Sequence, residues 1–284
     1  MRSTLAIGSV IACCGCAAGP ARQGELPAPA PKAVVDGFVL GQAVRCSWGL
    51  AEPCRFIGDA YQYGMGVPRD AKRARSYFRK ACSLGSTEGC VMTGVMTIEL
   101  GERDRFTDVF ATWERACENG SYSGCHLAGI TLVYDPMGLR TPRDVQRGRT
   151  YLTRACTARY LPACGMGAAI TIEFKETSSY TEAHAQLLEV CKLRERESCH
   201  YLAQKELEGT FGARDERAAR HHFWQACRDG WGASCSALAY MHAKGIGTPV
   251  NARRASELTA AACTLGYEPS CDVLRRPGQD LPSP

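Results

Sequence analysis

Residues 70–82 read Asp-Ala-Lys-Arg-Ala-Arg-Ser-Tyr-Phe-Arg-Lys-Ala-Cys. Ala74, Tyr77, Phe78 and Ala81 recur at spacings of three and four, which places them on one face of a helix. Lys72, Arg73, Arg75 and Arg79 occupy the remaining circumference. The pattern returns at residues 215–227 and 251–263, again opened by Asp or Asn, residues suited to a helix N-terminus. Its basic lean recurs at Arg217 and Arg220 and reads as a solvated outer face.

A second kind of helix precedes each of these. It carries a small residue four positions after a cysteine: Gly58, Gly94, Gly129, Ala168, Ala203 and Ala239. Glycine costs about 1 kcal/mol in a helix interior relative to Ala. Its recurrence at one register position predicts a neighbouring helix packed too close for a side chain. Glycine-rich turns follow at Gly64-Met65-Gly66, Gly245-Ile246-Gly247 and, more loosely, Gly209 to Gly212. No strand pattern precedes them and no Lys-Ser/Thr follows, so they read as turn formers and not as phosphate loops.

Cysteines punctuate this alternation. Each of seven pairs has its second member eight positions after the first, and successive pairs start 35 or 36 residues apart with one step of 39. The pairs are Cys46/Cys54, Cys82/Cys90, Cys117/Cys125, Cys156/Cys164, Cys191/Cys199, Cys227/Cys235 and Cys263/Cys271. Such regularity marks a repeat protein. On one continuous helix the two members would stand ~12 Å apart, whereas a disulfide needs Cα atoms at roughly 4.4–6.8 Å. If each pair is bonded, a helix ends between its members and the chain folds back. Gly49, Gly85, Gly120, Gly230 and Gly266 stand where a left-handed cap would end that helix. Arg159 and Arg194 replace them in two copies, whose turns are therefore expected to differ. Each complete unit is expected to begin at the second cysteine of a pair, with residues 34–46 as a lone second helix capping the start. Arg275 takes the small-residue position in the last copy and Pro277 follows, so the array is expected to end there and residues 276–284 to fray. Four extra residues near Asp135-Pro136-Met137-Gly138 are expected in a loop.

Composition narrows the setting. A net charge of +5 over 284 residues is too weak to argue for nucleic acid. Fourteen evenly paired cysteines imply an oxidising compartment. Arg2, the apolar residues 5–12 and the small residues after them read as a secretory signal. Small residues before a cysteine resemble a bacterial lipoprotein signal, with Cys16 favoured over Cys13 as the lipidated residue and Cys14 also present. The expected organisation is signal at 1–16, a Pro/Ala-rich tether at 17–33, the repeat body at 34–275 and a tail at 276–284.

The A-C-x7-C pattern, the small residue four positions later, the G-x-G-V/I turn, the D/N-A-x-x-A second helix and the period near 36 resemble Sel1-like repeats, and the paired cysteines resemble the Hcp-type cysteine-rich subfamily. The resemblance covers residues 34–275. It implies an all-α fold, an αα-hairpin solenoid of the tetratricopeptide-like superhelical kind with one disulfide per repeat, formed by the seven pairs above. It also implies a protein-binding scaffold, with a β-lactamase or penicillin-binding activity as the alternative. S-x-x-K, S-D-N, K-T-G and H-E-x-x-H are all absent. His126, His184, His200, His221, His222 and His242 are scattered over several units. The residues thus name no nucleophile, base, metal site or cofactor, and the enzyme reading, that of a β-lactam hydrolase, rests on the resemblance alone. A seven-residue gap is also wider than paired zinc ligands use.

A binding face is expected on the first helices, where positions five and nine after the cysteine form one row. They read Asp59/Tyr63, Val95/Glu99, Ile130/Tyr134, Ala169/Glu173, Gln204/Glu208 and Tyr240/Lys244. Aromatic anchors among polar residues suit a protein or peptide partner. The expectation is a monomeric outer-membrane lipoprotein facing the periplasm or the cell surface. It would touch the membrane only through its N-terminal lipid and would bind no nucleic acid.

Overall fold

The computed structural model describes residues 32–139, 141–276 and 281–283, with the backbone alone at 32–36. The described residues fall into two compact units, divided after Ala158. The first holds α1 (Lys32–Ser47), α2 (Ala51–Tyr63), α3 (Ala71–Ser83), α4 (Thr87–Glu99), α5 (Phe106–Glu118), α6 (Tyr122–Tyr134) and α7 (Val145–Thr157). The second holds α8 (Leu161–Glu173), α9 (Tyr180–Lys192), α10 (Arg196–Glu208), α11 (Glu216–Arg228), α12 (Gly232–Lys244), α13 (Ala252–Thr264) and α14 (Glu268–Arg275). No strand occurs among the described residues. In each unit, successive helices pack on one another as hairpins.

The disulfides form as the resemblance implies. Cys46–Cys54, Cys82–Cys90, Cys117–Cys125, Cys191–Cys199, Cys227–Cys235 and Cys263–Cys271 have Cα–Cα distances of 4.4–4.7 Å. Cys156 and Cys164 are disulfide-bonded as well.

Where the repeat unit begins differs from the expectation. The second cysteines, Cys54, Cys90, Cys125, Cys164, Cys199, Cys235 and Cys271, do not open the first helices. Each is the fourth residue of its helix, which starts three residues earlier, and within each unit it is bonded to the penultimate residue of the helix before. The reason lies in the turn between the two helices, which spans only three residues and satisfies its own backbone. After α3, the N–H of Gly85 donates to the carbonyl of Cys82 and that of Ser86 to Ala81, so a left-handed residue closes the helix end. Helix α4 can then begin at once, and Ser86 caps it by accepting from the N–H of Gly89. One turn into α4 the chain has come back alongside α3, and Cys90 meets Cys82 there. In the chain-entropy model each nine-residue loop contributes about 2–3 kcal/mol.

The two arginine copies correct the expectation that their turns differ. Arg159 and Arg194 adopt φ of 63° and 66°, the same left-handed region as the glycines. Arg194 donates to Cys191 and Glu195 to Val190, repeating the glycine pattern bond for bond. The bridge and the two backbone bonds impose the conformation on a residue that would avoid it.

The second helices open as expected. Asp70, Asp215 and Asn251 are N-caps whose side chains accept from backbone N–H groups of the first helical turn, and Asp144 does the same before α7. Their own N–H groups donate back to Tyr61, Glu206, His242 and Leu132, so one residue closes both ends of the loop. Helices α5 and α9 lack that cap and are entered through single 3₁₀ turns at Arg103–Arg105 and Thr177–Ser179.

Close helix approach explains the small residues. A Cβ on Gly58 would lie 2.5 Å from the ring of Phe78, and one on Gly94 2.7 Å from Nε1 of Trp113. Phe78, Trp113, Leu152, Leu187 and Phe223 hold the same register position on successive second helices, and all are buried. A second row, the residue before each second cysteine from Cys90 onward, is also small. A Cβ on Gly89 would meet Ala81, and one on Gly124 would meet Ala116.

Both ends of the chain break this pattern. On α1 the positions of Phe78 and Ala81 are held by Gln42 and Arg45. On α14 the small-residue position is Arg275, ion-paired to Asp272 and Glu268. The tail, expected to fray, does not do so throughout: Leu281 packs on the cluster of Ala203, Ala219, Phe223, Leu238 and Met241.

Candidate protein-binding face

In the first unit α2 carries Glu52, Arg55 and Asp59 on one side. Arg55 donates to Glu52 at 2.8 Å and to Asp59 at 2.6 Å. Glu88 of α4 acts electrostatically on both Arg55 and Asp59. Burial raises the Asp59 carboxyl to about 6. Arg55 opposes that shift, whereas Glu88 and Glu52 add to it. The carboxylates also stitch consecutive first helices together. Ser86 donates to Glu52 at 3.3 Å, and Ser123 of α6 donates to Glu88 at 2.6 Å.

The predicted row is not uniformly open. Val95, Ile130 and Ala169 are buried. Tyr63 is exposed, Tyr134 and Tyr240 are half-buried, and Lys244 is exposed. Glu99 is ion-paired to Arg69 at 2.7 Å. In the second unit Glu208 pairs with Lys205 at 2.7 Å, Gln204 is half-buried beside it, and Tyr201 stands in the field of Glu173 and Glu208. Burial first, then these carboxylates, raise the Tyr201 phenol above its usual range. Tyr201 also brings its hydroxyl to the Ala169 carbonyl at 3.4 Å. The face thus runs diagonally, from the ninth position of one first helix to the second position of the next. Sequence reading missed Glu52, Arg55, Glu88 and Tyr201. The recurrence of Glu two positions before the second cysteine, at Glu52 and Glu88, was the available signal.

The histidines serve packing. His126 and His200 are pushed down to about 4 by burial. His200 shares a 2.8 Å hydrogen bond between Nδ1 and the Ser234 hydroxyl, and Ser234 is wholly buried. That hydroxyl cannot reach a substrate, so the pair is a core hydrogen bond and not a nucleophile with its base. His222 meets Glu206 at 2.8 Å, with His184 at 3.8 Å from the same buried carboxylate. Among the described residues no group of three His, Cys, Asp or Glu side chains is placed to hold a metal ion. No described helix is long and apolar enough to cross a membrane. The candidate lipidation residues Cys13 and Cys16 lie outside the described residues.

A model of the Sel1 repeat matches residues 54–86, 137–160, 196–231 and 232–267. Helix pairs, caps and bridges recur on the same period, and the chain carries Sel1 repeats over those residues. Its fold is similar to that of a protective antigen present in uropathogenic Escherichia coli strains, described as displaying an SLR fold, with a TM-score of 0.64 and 16% identity over 85% of this chain and 52% of that one. The chain spans about half the length of that antigen. It is similar also to a Sel1 repeat protein from Oxalobacter formigenes, with a TM-score of 0.60 and 17% identity over 75% of this chain and 87% of that one. Helicobacter pylori cysteine rich protein B matches with a TM-score of 0.38 and 23% identity over 44% of this chain and 96% of that one. No curated protein matches the sequence. The bridges assign the folded chain to an oxidising, extracytoplasmic setting.

Proposed function

We propose that this protein is a lipid-anchored envelope scaffold that captures a protein or peptide on the face of its first helices. The observation that carries the reading is the charge imbalance in the first unit, where Glu52, Asp59 and Glu88 all act on Arg55. A partner cation placed there would favour the ionised Asp59, against the burial that raises it. Tyr63, Tyr134 and Tyr240 supply aromatic contact area with little side-chain entropy to lose. The three carboxylates favour a partner segment bearing Lys or Arg between apolar residues.

A photocrosslinking side chain at position 63 or 240 of the full chain, in intact cells, tests the reading. A discrete adduct from these sites, absent when the probe sits at exposed Arg79 on α3, supports it. Equal labelling from both faces removes the assignment. Within the second unit, Tyr240→Ala is expected to weaken the adduct formed from a probe at position 204 while leaving the melting transition in place. Saturable hydrolysis of a chromogenic β-lactam by the purified oxidised chain would favour the enzymatic alternative instead.

A further inference from the structure

Helix α1 exposes an apolar stripe that the other second helices lack. Leu40, Val44 and Trp48 are 67%, 45% and 73% exposed. They lie four residues apart and so share one side of the helix and its end. The same register positions hold Ser76, Lys80 and Leu84 at α3, Thr150, Arg154 and Ala158 at α7, and His221, Gln225 and Asp229 at α11. On those helices polar residues prevail at these positions, and Asp229 and Gln225 are engaged by the neighbouring repeat. Exposed Leu84 extends the stripe. It lies 3.9 Å from where a Cβ on Gly49, the residue after Trp48, would stand. A missing helix of the array does not explain the stripe. The side of α1 that a preceding first helix would cover carries Phe38, Gln42 and Arg45, and the stripe lies on another side of the helix.

We propose that this stripe is a membrane-contact patch, lying at the boundary of headgroups and acyl chains of the bilayer that anchors the N-terminus. The proposal rests on the anchored reading of the preceding section. Chain length supplies the occupant: Lys32 lies 16 residue steps after Cys16, and an extended chain covers at most roughly 55 Å in that distance. A lipid on Cys16 therefore holds α1 within reach of the surface. Tethering over such a span raises the effective concentration to the order of millimolar, enough for three or four apolar side chains to engage a surface they would otherwise visit briefly. Trp at the end of the stripe suits the interfacial layer, where an apolar body and a polar N–H are both accommodated. Exposed Arg45 nearby favours anionic headgroups. The contact turns attachment at a single point into a fixed orientation and leaves the first-helix face free.

The test uses the full chain with Cys13→Ser and Cys14→Ser, so that Cys16 is the one cysteine outside the seven pairs. It is coupled through Cys16 to maleimide-bearing phosphatidylethanolamine/phosphatidylglycerol vesicles containing brominated lipid. Trp48 emission, isolated by subtracting Trp48→Phe, is expected to fall at least twofold on coupling. Leu40→Glu with Val44→Glu is expected to abolish that quenching at unchanged helical content, and the milder Leu40→Ser with Val44→Ser to reduce it. Unquenched Trp48, or quenching that survives both variants, overturns the patch. So does vesicle-free dimerisation in sedimentation that the same variants abolish, since the occupant is then a second copy. Because the coupling is chemical, the result is independent of acylation in the cell. Failure of the anchored reading would show separately, as absence of palmitate label on the native chain.

Discussion

The guanidinium of Arg194 is paired with the buried carboxylate of Asp229, 35 residues further along, while the backbone of Arg194 stands at φ 66°. An ordinary residue is thus held in a left-handed turn whose side chain reaches the equivalent turn of the next repeat. Left-handed backbone costs a residue with a Cβ about 1–2 kcal/mol. The Arg194 guanidinium is itself exposed and Arg228 stays 3.5 Å from the same carboxylate, so losing the pair costs only about 1 kcal/mol. Arg194→Gly is therefore expected to leave stability within about 1 kcal/mol of the parent, or to raise it. Arg194→Ala keeps the strain, loses the pair and is expected to be the less stable. Urea denaturation of both variants orders them, and the reverse order would remove the strain argument.

Gly58 and Gly167 are both helical glycines with opposite surroundings. A Cβ on Gly58 collides with Phe78 at 2.5 Å, whereas one on Gly167 meets nothing within 4 Å. Gly58→Ala is expected to destabilise by about 1–3 kcal/mol through overpacking, and Phe78→Leu in the same chain to recover part of that. Gly167→Ala is expected to stabilise by about 0.5–1 kcal/mol through helix propensity. Melting curves of the three variants decide it, and equal signs for the two alanines would refute the packing assignment.

Each bridge acts at its own joint, because a helix pair relies on its nearest neighbours. Cys117→Ser with Cys125→Ser is expected to cost about 2–3 kcal/mol. Protection from amide exchange should fall first in α5 and α6. Hydrogen-exchange mass spectrometry reads this directly. A uniform loss over the first unit would mean that the bridges act globally.

Acid sensitivity follows from the buried histidines. His200 is held down to about 4 in the folded chain, against about 6.5 unfolded. The unfolded chain therefore binds the extra proton between those values, and stability is full above about 6.5 and lost as pH falls towards 4. His126 acts in the same direction. Asp59, raised to about 6, opposes it, since the folded chain binds its proton first as pH falls. The His200 contribution is on the order of 3 kcal/mol. His200→Gln is expected to flatten the fall in melting temperature between pH 6.5 and 4.5, and an unchanged slope would show that His200 is not its source.

Much of the chain was legible before its structure. The three- and four-residue spacing of Ala74, Tyr77, Phe78 and Ala81 specifies a helix face whichever fold contains it, and Asp70, Asp215 and Asn251 cap helices through their own neighbouring N–H groups. The eight-residue cysteine gap excludes a continuous helix once the pair is bonded. These are local constraints, and local sequence carries them. What the sequence could not decide depends on partners far along the chain. Arg194 takes a glycine's conformation because a bridge and a turn leave no alternative. Val95, Ile130 and Ala169 leave the predicted binding row because the packed fold buries them. Glu52 and Glu88 join it because serines 34 and 35 residues onward bond them in place. Hairpin formation is written in nearest-neighbour chemistry. Which side chains remain in water is set by the distance between helices, and that distance exists only after they have packed.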